Sequence, residues 1–250
     1  MKDIKARKQV KKSGAACFDR SFGSTGRGKN LMSSSIETIK SSLCKAGLRL
    51  LAEGLVARTW GNISIRIDER RMAVTPSGIM YEDILPEHIA VMDIITGRWE
   101  STVRPSGEKK LHAAIYRERP DVGAIVHTHQ MNASVCAAAR VDVEVNDRAA
   151  ADILRASKIY CSGYGRPGTG KLTKETVSVL KGGMCALMAN HGAVCLGKDI
   201  DEAFTVSRIL ENVCGTFLTE KISAASPSAV MTAENICRIY LHIRASGARS

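Results

Sequence analysis

The chain has 250 residues, 44% of them hydrophobic, and a formal net charge of +11 at pH 7, which suits one globular domain with a sizeable core. No run approaches the roughly 20 consecutive apolar residues of a membrane span, and no apolar segment follows the basic N-terminus as in a secretory signal. The eight cysteines include no CxxC pair, a usage typical of reduced thiols. We therefore expect a cytoplasmic protein with no membrane partner.

The positive charge is concentrated at the N-terminus. Residues 1–31 carry nine Lys or Arg and two Asp, with few residues that can build a core, so a disordered basic leader is predicted there. RNA contact, a targeting role and an upstream start codon are all open for it, and the start codon is favoured because Met32 precedes a serine-rich helix entry. Since no aromatic platform accompanies the charge, no nucleic-acid partner is expected. A catalytic domain over 32–225 and a tail over 226–250 complete the predicted organisation.

Hydrophobic periodicity and turn signals predict the elements in chain order. They are a helix from Ser33–Ser35 to about Val56, a hairpin over 63–67 and 72–75, a second hairpin over 89–95 and Trp99, a helix over 108–118, a strand over 123–129, a helix over 130–139, a strand-like segment over 141–145, a helix over 146–156, a loop over 161–170, a helix over 172–181, strands over 185–189 and 193–196, a helix over 199–220, and a partly helical tail. Hairpins interspersed with helices favour a mostly antiparallel sheet covered by helices over regular βαβ alternation.

Three histidines follow two of these apolar runs. His127 and His129 close the run that begins at Gly123, and His191 follows the run 185–189. Alternate strand residues share a face about 7 Å apart, which is suitable for chelation. Catalytic zinc commonly takes three protein ligands, with neutral imidazole as a frequent donor. The pattern predicts a metalloenzyme.

Three turns accompany the histidines: Gly61-Asn62-Ile63-Ser64, Thr75-Pro76-Ser77-Gly78 and Pro105-Ser106-Gly107-Glu108. Such turns present backbone N–H groups and hydroxyls to an anion, and Ser106 precedes a predicted helix whose positive end also favours phosphate. Glu108 and His112 share a face of that helix; His112 is interpreted as a packed supporting group. The string Gly163-Tyr-Gly-Arg-Pro-Gly168 matches GxGxxG but lacks the strand-to-helix context of a dinucleotide site.

In this order and spacing, the motifs GNIS, TPSG, PSGE, LH, HTH and NHG resemble class II aldolases of the fuculose-phosphate aldolase and adducin-head superfamily. The likeness runs from about residue 36 to about residue 220. It implies a three-layer αβα sandwich with a central, largely antiparallel sheet, assembled as a homotetramer with sites at subunit interfaces. By resemblance, one zinc ion per subunit is bound by His127, His129, His191 and Glu108, and the substrate phosphate is bound by Gly61, Asn62, Ser77, Gly78, Ser106 and Gly107. Glu108 would also be the acid/base, and Tyr164 would be a proton donor that reaches a neighbouring subunit's site.

The reaction implied is zinc-dependent retro-aldol cleavage of a ketose 1-phosphate to dihydroxyacetone phosphate and an aldehyde. Dehydration of methylthioribulose 1-phosphate is the nearest alternative. Epimerisation is less favoured, since such relatives tend to carry aspartate in place of Glu108, and a non-catalytic adducin-like module would be expected to lack the ligands. Two features depart from the family pattern: Ser106-Gly107 replaces a pair of serines, and Tyr240 is the only tyrosine in the tail.

Overall fold

The computed structural model describes residues 26–56, 59–225 and 233–247. The strands in these described residues are β1 (Asn62–Arg66), β2 (Arg71–Val74), β3 (Ala90–Asp93), β4 (Trp99–Glu100), β5 (Ala124–Thr128), β6 (Val143–Glu144), β7 (Lys158–Ile159), β8 (Cys185–Met188) and β9 (Gly192–Gly197). Seven of them form the main sheet in the order β4-β3-β2-β1-β5-β9-β8, with every neighbouring pair antiparallel. The predicted antiparallel sheet is confirmed.

Helices account for most of the remaining described chain. They are α1 (Gly26–Ala52), α2 (Lys109–Glu118), α3 (Met131–Ala139), α4 (Arg148–Leu154), α5 (Gly170–Leu180), α6 (Ile200–Ala225) and α7 (Ala233–Gly247). The first helix begins at Gly26 and not at the serines 33–35, because serine is tolerated inside a helix as well as at its cap. Residues 26–31 were thus wrongly predicted as disordered, while residues 1–25 lie outside the described residues.

The side chains of the sheet alternate between two apolar clusters. Along β5, Ala124 and Val126 pack with Leu43 and Leu50 of α1, whereas Ile125 packs with residues of α2, α3 and α5 in a second cluster. This period of two is what a strand buried on both faces requires. Helices therefore cover the sheet on both sides, giving the expected three-layer αβα sandwich.

A second, two-stranded sheet is formed by β6 and β7. The predicted strand-like segment 141–145 contains β6, but its partner was missed because β7 has only two residues, too few to show a period. No helix in the described parts of the chain is both long and apolar enough to cross a membrane.

Three chain turns meet at one end of the neighbouring strands β1, β5 and β9, because β5 lies between the other two. Asn62, the first residue of β1, is opposite His127, and Thr128 is opposite Ala193 at the start of β9. The GNIS, HTH and NHG motifs therefore converge, although Asn62 and His127 are 65 positions apart in the sequence and His127 and His191 are 64 positions apart.

Candidate metal centre and phosphate site

The three predicted histidines form one compact cluster. Their ring centroids are separated by 4.8 Å (His127 and His129), 4.9 Å (His127 and His191) and 5.0 Å (His129 and His191). One ligand nitrogen from each ring lies within 4.8 Å of the others, which identifies the cluster as a group able to hold a metal ion. The rings stand at 67° to 85° to one another, so three imidazole edges face a common point.

The tautomer of His127 follows from its backbone contact. Its Nδ1 lies 2.8 Å from the carbonyl oxygen of Ala193, and because a carbonyl only accepts, Nδ1 carries the proton and donates. Nε2 is therefore the ring nitrogen that faces the cluster, where Nε2 of His129 is 3.0 Å away. Such an outer hydrogen bond is how proteins commonly orient a metal-binding imidazole.

Two glycines allow the start of β1 and the NHG loop to pack closely against the end of β5. Gly61 has a φ of +97°, and a Cβ atom there would lie 2.7 Å from the carbonyl oxygen of His127. At Gly192, a Cβ atom would lie 2.3 Å from the carbonyl oxygen of Thr128. A larger residue at either position would push β1 or the NHG loop away from the end of β5.

The carboxylate of Glu108 lies against the histidine cluster. Its Oε2 is 3.1 Å from Nε2 of His127 and its Oε1 is 3.2 Å from Nε2 of His191, and the side-chain amide of Asn62 donates to Oε2 at 3.3 Å. Burial raises the pKa of Glu108, but the positive potential of His127 and His191 and the Asn62 hydrogen bond more than offset it, so the pKa lies below its usual value. Glu108 is therefore a charged carboxylate at neutral pH.

The TPSG and PSGE turns are joined by backbone hydrogen bonds. The amide of Ser77 donates to Arg104 at 2.9 Å, and the amide of Ser106 donates to Thr75 at 3.0 Å. Ser77, Gly78 and Gly107 are exposed, whereas Ser106 is buried and its hydroxyl accepts the amide of Glu108 at 3.1 Å. The structure thus brings Ser77, Gly78, Ser106 and Gly107, four of the six residues predicted to bind phosphate, together beside the N-terminus of α2.

Two cations that the sequence patterns did not predict, Arg104 and Lys109, lie beside these turns. The ammonium of Lys109 is 3.3 Å from the carbonyl oxygen of Ser106, and burial together with the charges of Arg104 and Lys110 lowers its pKa. Glu108, the N-cap of α2, directs its carboxylate to the histidines, and the first turn that follows contains no acidic residue, so its N–H groups favour an anion. The sequence feature that could have predicted these cations is the set of basic residues on either side of the PSGE motif.

The outer side of the cluster carries aromatic residues. The Trp60 ring lies 6.2 Å from the His129 ring, and the hydroxyl of Tyr240 on α7 donates to the carbonyl oxygen of His129 at 3.2 Å. Tyr164 is 43% exposed in the loop before α5, and a Cβ atom on Gly168 of that loop would lie 3.3 Å from the carbonyl oxygen of Gly107. Within the described subunit, no hydrogen bond joins Tyr164 to the histidines.

These donors fit a divalent metal ion. Three imidazoles and a carboxylate are the ligand types that zinc and similar ions prefer. Nε2 of His127 lies 3.0 Å from Nε2 of His129 and 3.1 Å from Oε2 of Glu108. A cation placed among these atoms would satisfy all three groups.

The comparisons with known proteins agree with this geometry. The family described as Class II Aldolase and Adducin N-terminal domain matches residues 41–218. The chain belongs to this family. Its members include metal-dependent lyases, and this chain is an enzyme of that kind.

Curated relatives and solved structures are similar over most of their length. A 5-methylthioribulose-1-phosphate/5-deoxyribulose-1-phosphate aldolase of Rhodospirillum rubrum is 29% identical over 70% of this chain and 78% of its own. The L-fuculose phosphate aldolase of Escherichia coli K12 is 27% identical over 81% of this chain and 92% of its own. A solved structure of L-fuculose 1-phosphate aldolase matches with a TM-score of 0.71 at 27% identity, covering 83% and 96% of the two chains.

Proposed function

We propose that this class II aldolase family member cleaves a ketose 1-phosphate to dihydroxyacetone phosphate and an aldehyde. The observation that carries the proposal is the position of Glu108, which lies 3.1 Å and 3.2 Å from two imidazoles and directly follows the Ser106-Gly107 turn. An acid/base group, a metal centre and an anion site are thereby adjacent. The relatives named above act on phosphorylated ketoses, which supports the same substrate class here.

In this proposal His127, His129 and His191 hold one zinc ion per subunit, with Glu108 as a further ligand at rest. The ion supplies Lewis-acid stabilisation of the negative charge that develops on the substrate oxygens, so that no covalent lysine is needed.

Glu108 transfers the proton at C3. As the C3–C4 bond breaks, the C4 hydroxyl releases a proton and the Glu108 carboxylate takes one up from solvent; C3 gains the electron pair of the broken bond and accepts that proton from the Glu108 carboxyl group. In the reverse direction the carboxylate removes a C3 proton from dihydroxyacetone phosphate. The lowered pKa suits the second role, since it keeps the group deprotonated in the resting enzyme.

The substrate phosphate is bound by the backbone and hydroxyls of Gly61, Asn62, Ser77, Gly78, Ser106 and Gly107. Arg104 and Lys109 add positive charge at the exposed side of these turns. A dianion gains from both the amide groups at a helix N-terminus and nearby cations.

Assembly and location belong to the same proposal. Tyr164 exchanges a proton at the C4 oxygen of the departing aldehyde in a neighbouring subunit's site, within a cytoplasmic homotetramer. Its exposed position in a Gly- and Pro-rich loop supports contact with another subunit better than packing in its own.

The test is an assay of the zinc-loaded full chain against fuculose 1-phosphate, 5-deoxyribulose 1-phosphate and methylthioribulose 1-phosphate. Dihydroxyacetone phosphate and dehydrated product are both measured, and Glu108→Gln is the matched inactive control. Cleavage that depends on Glu108 supports the proposal. Loss of water without dihydroxyacetone phosphate would identify a dehydratase instead, and no reaction with any of the three would refute the substrate class.

A further inference from the structure

A buried histidine that the proposed mechanism does not use lies one helical turn after Glu108. His112 has no exposed surface, and its Nδ1 lies 2.6 Å from the hydroxyl oxygen of Ser64. That hydroxyl is 2.9 Å from the hydroxyl of Tyr116, which also donates to the Ser64 carbonyl oxygen at 3.1 Å. Ser64 lies on β1 two residues after Asn62, on the same face of the strand.

The distances give this network a direction. The separation of 2.6 Å is below the usual range for an N–H donor and within the range for an O–H donor, which favours the Ser64 hydroxyl as the donor to Nδ1 of His112. Tyr116 can then donate to either oxygen of Ser64. With Nδ1 accepting, the proton of a neutral His112 ring resides on Nε2.

Burial keeps the ring neutral. Desolvation, and after it the potential of His127, lower the pKa of His112 to about 3. The charge of Glu108 acts in the opposite direction but is the smallest of the three effects. Glu108 and His127 are thus titratable groups whose potential reaches the ring, and Tyr116 lies on its other side through Ser64. The i,i+4 spacing puts His112 on the face of α2 that carries Glu108.

The Nε2 atom of His112 is buried and has no hydrogen-bond partner among the described residues. An unsatisfied buried donor costs about 1–3 kcal/mol, so native proteins rarely keep one without a role. Glu108 occupies the resting position against His127 and His191, and it must leave that position to exchange a proton with substrate carbon. A neutral N–H donor near it offers a second position for the carboxylate.

We propose that His112 is a positioning residue whose Nε2–H group holds the Glu108 carboxylate in its proton-transfer position during turnover. The Ser64 hydroxyl, which contacts Nδ1 of the ring, fixes the required tautomer. The inference rests on the proposed function, because it assumes that Glu108 exchanges a proton at C3.

Two substitutions of His112 distinguish the role of Nε2 from that of Nδ1. In His112→Gln the amide nitrogen replaces the Nε2 donor, whereas in His112→Asn the shorter amide reaches only the Ser64 side. We expect the zinc-loaded His112→Gln chain to exchange the C3 proton of dihydroxyacetone phosphate with solvent deuterium within about threefold of the wild type. We expect His112→Asn to lose at least ~10-fold in rate, the value of one hydrogen bond to a charged group, with KM and zinc content unchanged.

A spectroscopic measurement tests the tautomer without any reaction. Nitrogen-15 spectra of the histidine-labelled holoenzyme should show His112 protonated at Nε2 and not at Nδ1. Ser64→Ala should move that proton toward Nδ1 and slow the exchange, whereas Tyr116→Phe, which removes a hydroxyl from the same network, should lower thermal stability and leave both the tautomer and the exchange rate unchanged.

Failure of the inference and failure of the proposed function give different results. Equal exchange rates for His112→Gln and His112→Asn at matched zinc content, or a His112 ring protonated at Nδ1 in the wild type, would overturn the inference. If either variant fails to fold, the wild-type spectrum and Ser64→Ala still decide it. A wild-type enzyme that shows no exchange at all would instead refute the proposed function.

Discussion

The two sides of the histidine cluster differ in exposure and in the kind of residue they carry. On the inner side, His127, Asn62 and Glu108 are 1%, 5% and 7% exposed and are held by hydrogen bonds from β1, β9 and α2. On the outer side, Trp60 beside His129 is 41% exposed. Tyr164, in the loop before α5, is 43% exposed. Fixed, desolvated groups suit bond breaking, since their charges are not screened by water. The exposed aromatics suit contact with the variable end of a substrate or with another subunit.

The largest effect is expected when the inner side loses a ligand. His127→Ala should lower zinc content and turnover together by at least ~100-fold, because even a supporting hydrogen bond to a ligand is worth 10–100-fold in metal affinity. Elemental analysis and the cleavage assay measure this, with His88→Ala as the control, since His88 lies outside the cluster. Retention of stoichiometric zinc and activity in a variant lacking all three histidines would place the site elsewhere.

Glu108→Gln tests the inner side without removing an imidazole. We expect the fold and zinc content to be kept and solvent exchange at C3 of dihydroxyacetone phosphate to slow by at least ~100-fold, because an amide cannot transfer the proton. Glu118→Gln, at the exposed end of the same helix, should exchange at the wild-type rate. An unchanged rate in Glu108→Gln would remove this residue from the mechanism.

The Tyr164→Phe variant addresses the outer side and its dependence on assembly. We expect turnover to fall by ~10–100-fold, while Tyr160→Phe, whose ring packs 4.1 Å from the Lys181 ammonium, keeps wild-type turnover. Mixing Tyr164→Phe with Glu108→Gln subunits should restore part of the activity, because some interfaces then pair an intact glutamate with an intact tyrosine. Verified mixed oligomers without rescue would exclude a shared site.

Trp60→Ala should have a smaller effect that depends on the substrate. Loss of an aromatic contact worth about 1 kcal/mol should raise KM for the ketose phosphate roughly fivefold and leave zinc content unchanged. Trp99→Ala is a matched control, because Trp99 is also 41% exposed and lies on β4 at the far end of the sheet order. Equal KM values for the two variants would show that Trp60 does not contact substrate.

The smallest effect is expected at the N-terminus. A chain that begins at Met32 should match the full chain in turnover, because every predicted site residue lies beyond residue 60. Its melting temperature should fall slightly, since α1 begins at Gly26 and loses its first residues. Gel filtration and kinetics compare the two chains, and a loss of turnover would give the segment 1–31 a role in the site.

The candidate site residues were predictable because they lie in local sequence patterns. An apolar run that ends in His127-Thr128-His129 predicts ligands at the end of a strand, and Pro105-Ser106-Gly107-Glu108 predicts a polar turn before a helix. Such signals depend on periods of two and 3.6 residues, which neighbouring residues alone determine. The short strand β7 and the first residues of α1 could not be placed, since neither carries such a period.

The amino-acid sequence by itself thus determined which residues are proposed for the chemistry, the antiparallel character of the sheet and, through its ordered motifs, the family. Only the tertiary structure decided how those residues combine. The pairing of Asn62 with His127, the Ser64–His112 bond and the contact of Tyr240 with His129 join segments far apart in the chain. Their proximity depends on strand order, register and close packing at Gly61 and Gly192, which are settled by burial of the whole sheet between its helices and by no local pattern.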